Sequence, residues 1–226
     1  MPIDRFQFER ALLAQGLSRV AGVDEAGRGP LAGPVVAAAV CFPVAWIQNG
    51  LPSELDGLND SKQLKEGKRS IFFDFLTAHS EICFGIAVAG VEIIDSINIL
   101  QASLGAMNEA LGKLNPAPEH TLVDGLQRST SRHPQTPIVE GDARSFSIAA
   151  ASVLAKVTRD RLMVEYDREY PQYGFARHKG YGTAQHLKAL SDHGPCPLHR
   201  RSFGPVRARQ QELFSDETFR STAGMA

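Results

Sequence analysis

Residues 20–42 read VAGVDEAGRGPLAGPVVAAAVCF. Val20–Asp24 and Pro34–Phe42 are rich in Val and Ala, the composition of buried strands. Between them GRGPLAGP is a run of turn formers, so two strands in succession open the fold. The first ends on two acids, Asp24 and Glu25. Neighbours on a regular strand point to opposite faces, so the two carboxylates cannot both face one site unless the chain bends there.

Outward from this stretch the pattern alternates. Residues 4–15 have the spacing of a short amphipathic helix ended by Gly16, and Lys65–His79 is expected to be helical. Ser53–Ser61 reads as a polar loop and Glu81–Gly90 as a third strand. Ile97–Leu114 carries apolar residues at helical spacing and stops before Pro116 and Pro118. His120–Asp124 is a short apolar strand ending on an acid, and Pro137–Val139 is another strand. Phe146–Tyr170 is a long helix beginning at a Ser cluster that can cap it, with its apolar face Ile148–Val157 assigned to core packing. Beyond Pro171, Gly, His, Arg and Pro mark loops around one short helix, Ala184–His193. Early strands followed by strand–helix alternation give an α/β fold, a mixed sheet with helices on its faces. Residues 1–170 form the expected main domain, and 171–226 a small C-terminal helical segment and tail.

Composition narrows the function. The 226 residues are 43% hydrophobic, enough for one compact domain. The longest apolar run, Val35–Val44, is interrupted by Pro43 and too short to span a bilayer, and the N-terminus has no signal-peptide character. Cys41, Cys83 and Cys196 lie far apart and match no zinc spacing; Cys41 and Cys83, in apolar surroundings, read as small buried hydrophobes, and a reducing cytoplasm fits. The net charge of −1 conceals a division. Residues 1–155 hold 12 Lys+Arg against 17 Asp+Glu, whereas 156–209 hold 11 against 5, with four histidines besides. An acidic body beside a basic segment suits a polyanion gripped at its phosphates and processed at carboxylates. A solvated basic face is the plainer alternative.

Asp24 and Glu25 follow one strand, Asp124 ends a second and Asp142 follows a third. Ligands of open α/β sheets gather outside strand ends. Four carboxylates converging there repel one another and call for cations between them; oxygen ligands favour Mg²⁺ or Mn²⁺ over zinc. Two such ions can activate water and stabilise the leaving oxygen of a phosphodiester displacement. Asp24 is the firmer ligand, while Glu25 acts through its backbone, a water or the second ion. Gly27 and Gly29 lack side chains and let backbone approach a ligand, and Arg28 adds a phosphate-seeking cation, although GRG alone is more often a turn. No P-loop pattern occurs. Ser61 and Lys62 are expected at a helix start, where amides suit a phosphate, with capping by Ser61 an equal alternative.

Five motifs together carry a resemblance: VDEAGRGPLAGPVVAAAV at 23–40, DSKQL at 60–64, LVDG at 122–125, GDARSFSIAAASVLAKVTRDR at 141–161 and HKGYGT at 178–183. In this order they resemble bacterial ribonuclease HII, over most of residues 20–207. The resemblance implies a ribonuclease H-like fold and dependence on Mg²⁺ or Mn²⁺. It implies catalysis by Asp24, Glu25, Asp124 and Asp142 on RNA–DNA hybrids and ribonucleotide-containing duplex DNA, by a monomer. It further implies that Gly27, Arg28 and Gly29 read a 2′-hydroxyl and that Tyr181 stacks on the sugar to its 3′ side. The chain departs from the family in having Glu140 where Lys is common and Leu126 where Asn is common. Two other readings compete: a junction or transposase-like nuclease of the same broad fold, and a nucleic-acid-binding module without catalysis. Gln210-Gln211-Glu212-Leu213-Phe214 has the form of a bacterial sliding-clamp-binding peptide, the alternative being a helix end whose Leu213 and Phe214 cover the domain's own core.

Overall fold

The computed structural model describes residues 4–126 and 134–210. In chain order the elements are α1 (Gln7–Leu13), β1 (Val20–Ala26), β2 (Val35–Cys41), α2 (Val44–Asn49), α3 (Glu66–Ala78), β3 (Cys83–Ala89), α4 (Val91–Gly112), β4 (His120–Asp124), β5 (Gln135–Ile138), α5 (Gly141–Arg144), α6 (Phe146–Glu169), α7 (Phe175–His178) and α8 (Ala184–His193). The five strands form one mixed sheet in the order β3-β2-β1-β4-β5. β1, β2 and β3 are antiparallel neighbours, while β1, β4 and β5 run parallel.

Helices cover both faces. On one side α3 and α6 bury Phe72, Leu76, Val153 and Leu154 against Val36, Ala38 and Val40 of β2. On the other, α4 packs Met107, Ala110 and Leu111 against Val23, Ala37 and Ala39. The alternation of β2 explains both contacts, because even and odd positions of the VVAAAV run feed opposite cores. Gly22 lets α6 approach β1 closely: a Cβ there would lie 2.3 Å from the backbone nitrogen of Ile148. Ser145 caps α6, its hydroxyl accepting from the Ile148 amide at 3.2 Å and donating to the buried Glu9 at 2.6 Å. α1 is thereby tied to the start of the longest helix. Burial raises the Glu9 carboxyl pKa, with the Ser145 and Ser147 donors offsetting part of the rise.

Several expectations are corrected by packing. Val44–Asn49 is a helix that the break at Pro43 concealed, with Ile47 buried. The loop at 53–61 contains a 3₁₀ turn at Ser53–Leu55 and buries Leu55 and Leu58. α4 begins six residues before Ile97 and is broken at Asn98, whose φ of 68° leaves its side-chain oxygen to accept from the amides of Leu100 and Gln101. Ser61 and Lys62 do not start a helix: α3 begins at Glu66, capped by no side chain, and the two residues lie in the preceding turn. Cys41 and Cys83 are only half-buried and face each other across β2 and β3, and all three thiols are free. Among the described residues no helix is long and apolar enough to cross a membrane. Residues 204–210, the last described, are helical, and Gln211–Phe214 of the clamp-like pentapeptide lie outside the described residues.

Candidate active site

β1 and β4 run side by side. Their last paired residues are Val23 and Val123, so Asp24 and Asp124 stand next beyond them on adjacent parallel strands. After β5 the chain turns through Glu140, held in the left-handed region at φ 53°, into the short helix α5. This turn brings backbone amides to Asp124, whose Oδ1 accepts from Gly141 at 2.7 Å and from Asp142 at 3.3 Å. Asp24 accepts the amide of Glu25 at 2.7 Å. Arg5 reaches across from the N-terminal segment and donates to the Asp142 carbonyl at 2.6 Å and to that of Leu58.

The result is a cluster of three: carboxylate oxygens of Asp24, Asp124 and Asp142 all lie within 4.8 Å of one another. Glu25 is outside it. β1 keeps its pairing through Glu25 and Ala26, and Glu25 lines both the cleft beside Asp24 and the one against α4. It pairs with Arg28 at 3.3 Å. Burial, then the charges of Glu25, Asp124 and Asp142, push the Asp24 carboxyl well above the usual carboxylate range. Burial and the charges of Asp124 and Asp60 raise Asp142 to about 6, against the pull of Lys62. Lys62 Nζ stands 4.0 Å from Asp142. Desolvation opposes its charge, but the fields of Asp24, Asp142, Asp60 and Asp124 prevail and raise its pKa. An all-oxygen set of this closeness, with elevated proton affinity, can hold a hard divalent cation.

Beside the cluster lies a cleft lined by Asp24, Gly27, Gly29, Lys62, Lys156 and Tyr181. Ser61 is buried and is positioned by the Ser152 hydroxyl at 2.7 Å, which sets the turn carrying Lys62. The amides of Arg28 and Gly29 have no protein acceptor among the described residues. Tyr181 is 46% exposed, and a Cβ on Gly29 would lie 3.7 Å from its ring. A buried histidine pair holds its backbone. The Cys196 amide donates to His199 Nδ1 at 3.0 Å, so the neutral ring donates from Nε2 to His186 Nε2 at 3.0 Å. His186 Nδ1 is then left to donate to the Tyr181 carbonyl at 2.9 Å. Burial and His186 lower His199 to about 4, which keeps this relay neutral.

The sequence reading missed Asp60, Arg5, Ser152, Lys156, Arg159 and Arg200. Asp60, Ser152, Lys156 and Arg159 stood inside quoted motifs, yet only the fold shows what each meets. Arg5 and Arg200 carried no local signal.

The ribonuclease HII family model matches residues 21–206. The chain belongs to the ribonuclease HII family. It is similar to the ribonuclease HII of Geotalea daltonii, 53% identical over 201 residues and covering 89% of each chain. To that of Citrifermentans bemidjiense it is 48% identical, over 99% of this chain and 94% of the relative. Its fold matches the crystal structure of ribonuclease H2 from Pyrococcus horikoshii OT3 with a TM-score of 0.70 at 27% identity, covering 86% of this chain and 98% of that one. A ribonuclease H-like mixed sheet and ribonuclease H enzyme activity accord with these relatives. The matched region spans all three clustered acids, the glycine turn and Tyr181.

The raised Asp142 pKa has a testable sign. A carboxyl that holds its proton more tightly when folded destabilises the fold once ionised, so the penalty is present above about pH 6 and relieved as pH falls toward the unfolded value of about 3.8. Without divalent ions, Asp142→Asn is expected to melt above the wild type at neutral pH, the gap closing by about pH 4. Saturating Mg²⁺ should raise the wild-type Tm at neutral pH and leave the variant's nearly unmoved. Thermal unfolding across pH checks this; a variant that melts lower at every pH contradicts it.

Proposed function

We propose that this ribonuclease H cuts the RNA strand of RNA–DNA hybrids and incises on the 5′ side of single ribonucleotides in duplex DNA. The observation that carries this is the junction of the Asp24–Asp124–Asp142 cluster with a cleft lined by Gly27, Gly29 and Tyr181. Asp24, Asp124 and Asp142, together with Glu25, would hold Mg²⁺ or Mn²⁺, two ions in the active complex. When bound, the ions supply Lewis-acid stabilisation of the attacking and leaving oxygens.

The protein's own groups do the rest. The carboxylates orient the site, with Asp124 fixed by the amides of Gly141 and Asp142. Lys62, with Ser61 setting its turn, receives a backbone phosphate. The amides of Arg28 and Gly29, without a protein acceptor among the described residues, face the 2′-hydroxyl, which is both donor and acceptor and marks RNA. Tyr181 stacks on the sugar to the 3′ side. Water adds to phosphorus as the bond to the 3′-oxygen breaks, leaving 3′-hydroxyl and 5′-phosphate ends. Residues 171–226 serve as the substrate-binding segment beside the catalytic domain 1–170, in a cytoplasmic monomer.

Incision of a duplex bearing one ribonucleotide tests the reading. Asp24→Asn and Asp124→Asn should each lose several kcal/mol of transition-state stabilisation, at least about 100-fold in rate, while still binding the duplex. Tyr181→Ala should lose roughly tenfold at the junction. Wild-type rates in either aspartate variant at saturating Mg²⁺, or cutting of an all-DNA duplex, would overturn the assignment.

The Gln210–Phe214 segment is proposed separately to bind a sliding clamp, with Leu213 and Phe214 as apolar anchors. A labelled 205–226 peptide should bind the cognate clamp and lose binding on Leu213→Ala with Phe214→Ala. Equal binding by the two peptides, or none, rules it out.

A further inference from the structure

Beneath the Gly27–Arg28–Gly29 turn lie two arginines that are almost wholly buried, Arg159 of α6 and Arg200 of the C-terminal segment, exposed by 1% and 0%. Neither makes an ion pair among the described residues. Asp160, the sequence neighbour of Arg159, pairs with Lys156 and Arg69. Asp95 is occupied by the amides of Arg201 and Ser202. A buried cation without a counter-ion is costly, and apolar side chains would fill the same space at less expense. Their bonding explains what the arginines provide.

Every donor nitrogen of both guanidinium groups bonds to a backbone carbonyl. Arg200 donates from Nη1 to Arg28 at 2.9 Å, from Nη2 to Gly27 and to Pro34 at 3.3 Å, and from Nε to Gly33 at 3.0 Å. Arg159 donates from Nε to Pro34 at 3.0 Å, from Nη2 to Ala32 at 3.2 Å and from Nη1 to Lys179 at 3.0 Å. Arg159 thereby ties Ala32 and Pro34, just after the glycine turn, to the loop that carries Tyr181. Gly27 is shaped to this contact: its φ is +103°, and a Cβ would lie 2.1 Å from Arg159 Nε. The Leu31 amide also donates to the Gly180 carbonyl at 2.8 Å, and that of Arg200 to the Leu31 carbonyl at 2.8 Å. The carbonyls of the turn are thus drawn inward, whereas the amides of Arg28 and Gly29 have no protein acceptor among the described residues.

We propose that Arg159 and Arg200 are positioning residues that hold the glycine turn and the Tyr181 loop at a fixed spacing and present the Arg28 and Gly29 amides to the substrate ribose. The proposal rests on the reading of these two elements as the ribose site. A planar, five-donor guanidinium can satisfy several divergent carbonyls at once, and a lysine ammonium on a flexible stem cannot hold the same set in one geometry. Burial, together with the charge of Arg159, lowers Arg200 to about 9, and it still carries its proton at neutral pH.

The test compares Arg159→Lys, Arg200→Lys and Arg200→Met with Tyr181→Ala and Gly29→Val in single-ribonucleotide incision, alongside thermal unfolding and Mn²⁺ titration. The two lysine variants are expected to remain folded at the assay temperature and to bind Mn²⁺ with an unchanged midpoint. Their kcat should fall on the order of 100-fold, the effect of an approximately 1 Å misplacement, with KM moving far less. Should Arg200→Met fail to fold, the lysine variants carry the test. If both lysine variants keep kcat within about threefold of wild type while Tyr181→Ala loses activity, the positioning role is overturned and the ribose reading stands. A fall in kcat matched by an equal fall in folded fraction overturns it too. If Tyr181→Ala and Gly29→Val both cut normally, the ribose reading fails and this proposal fails with it.

Discussion

Three carboxylates confined within 4.8 Å are the constraint on which the structure turns. At an effective dielectric of about 20, each ionised pair at that separation costs roughly 3 kcal/mol, and three pairs together approach the whole stability of an ordinary domain. The fold lessens this cost by raising the proton affinity of Asp24 and Asp142 and by setting Lys62 nearby. Neither device removes it. The packing that holds the acids together comes from the rest of the molecule: the parallel register of β1 and β4, the left-handed turn at Glu140, and Arg5 bonded to the Asp142 carbonyl. Divalent cations among the oxygens would stabilise such a cluster in its ionised form.

The second half of the cleft follows a different logic. The glycine turn and the Tyr181 loop have little regular structure, so their carbonyls need donors from elsewhere. Two guanidinium groups and a neutral histidine pair supply them from below. Glycine at position 27 therefore answers to the arginine beneath it as well as to any ligand above, a reason that the sequence alone does not disclose. The acid cluster is held by backbone amides, and the glycine turn with the Tyr181 loop by buried side chains.

Much of this was legible in the sequence because it is local. Alternating Val and Ala between turn formers placed β1 and β2, and acids closing short apolar runs marked Asp24 and Asp124. Strand parity alone separated Glu25 from Asp24, and the three-oxygen cluster respects that separation. What stayed hidden is long-range. Arg200 lies more than 160 residues from the carbonyls it serves, and Arg5 meets Asp142 from the other end of the chain. The break at Asn98 was masked by apolar spacing that continues through it, and Ser61 proved to be held by Ser152 of α6 rather than to cap α3.

The central claim is that Asp24, Asp124 and Asp142 form one metal centre at the end of the parallel strands. Anomalous diffraction from crystals soaked in Mn²⁺ tests it most directly. The account predicts an anomalous peak within coordination distance of all three carboxylates. Strong Mn²⁺ peaks elsewhere, with none among these three side chains at saturating metal, would contradict it.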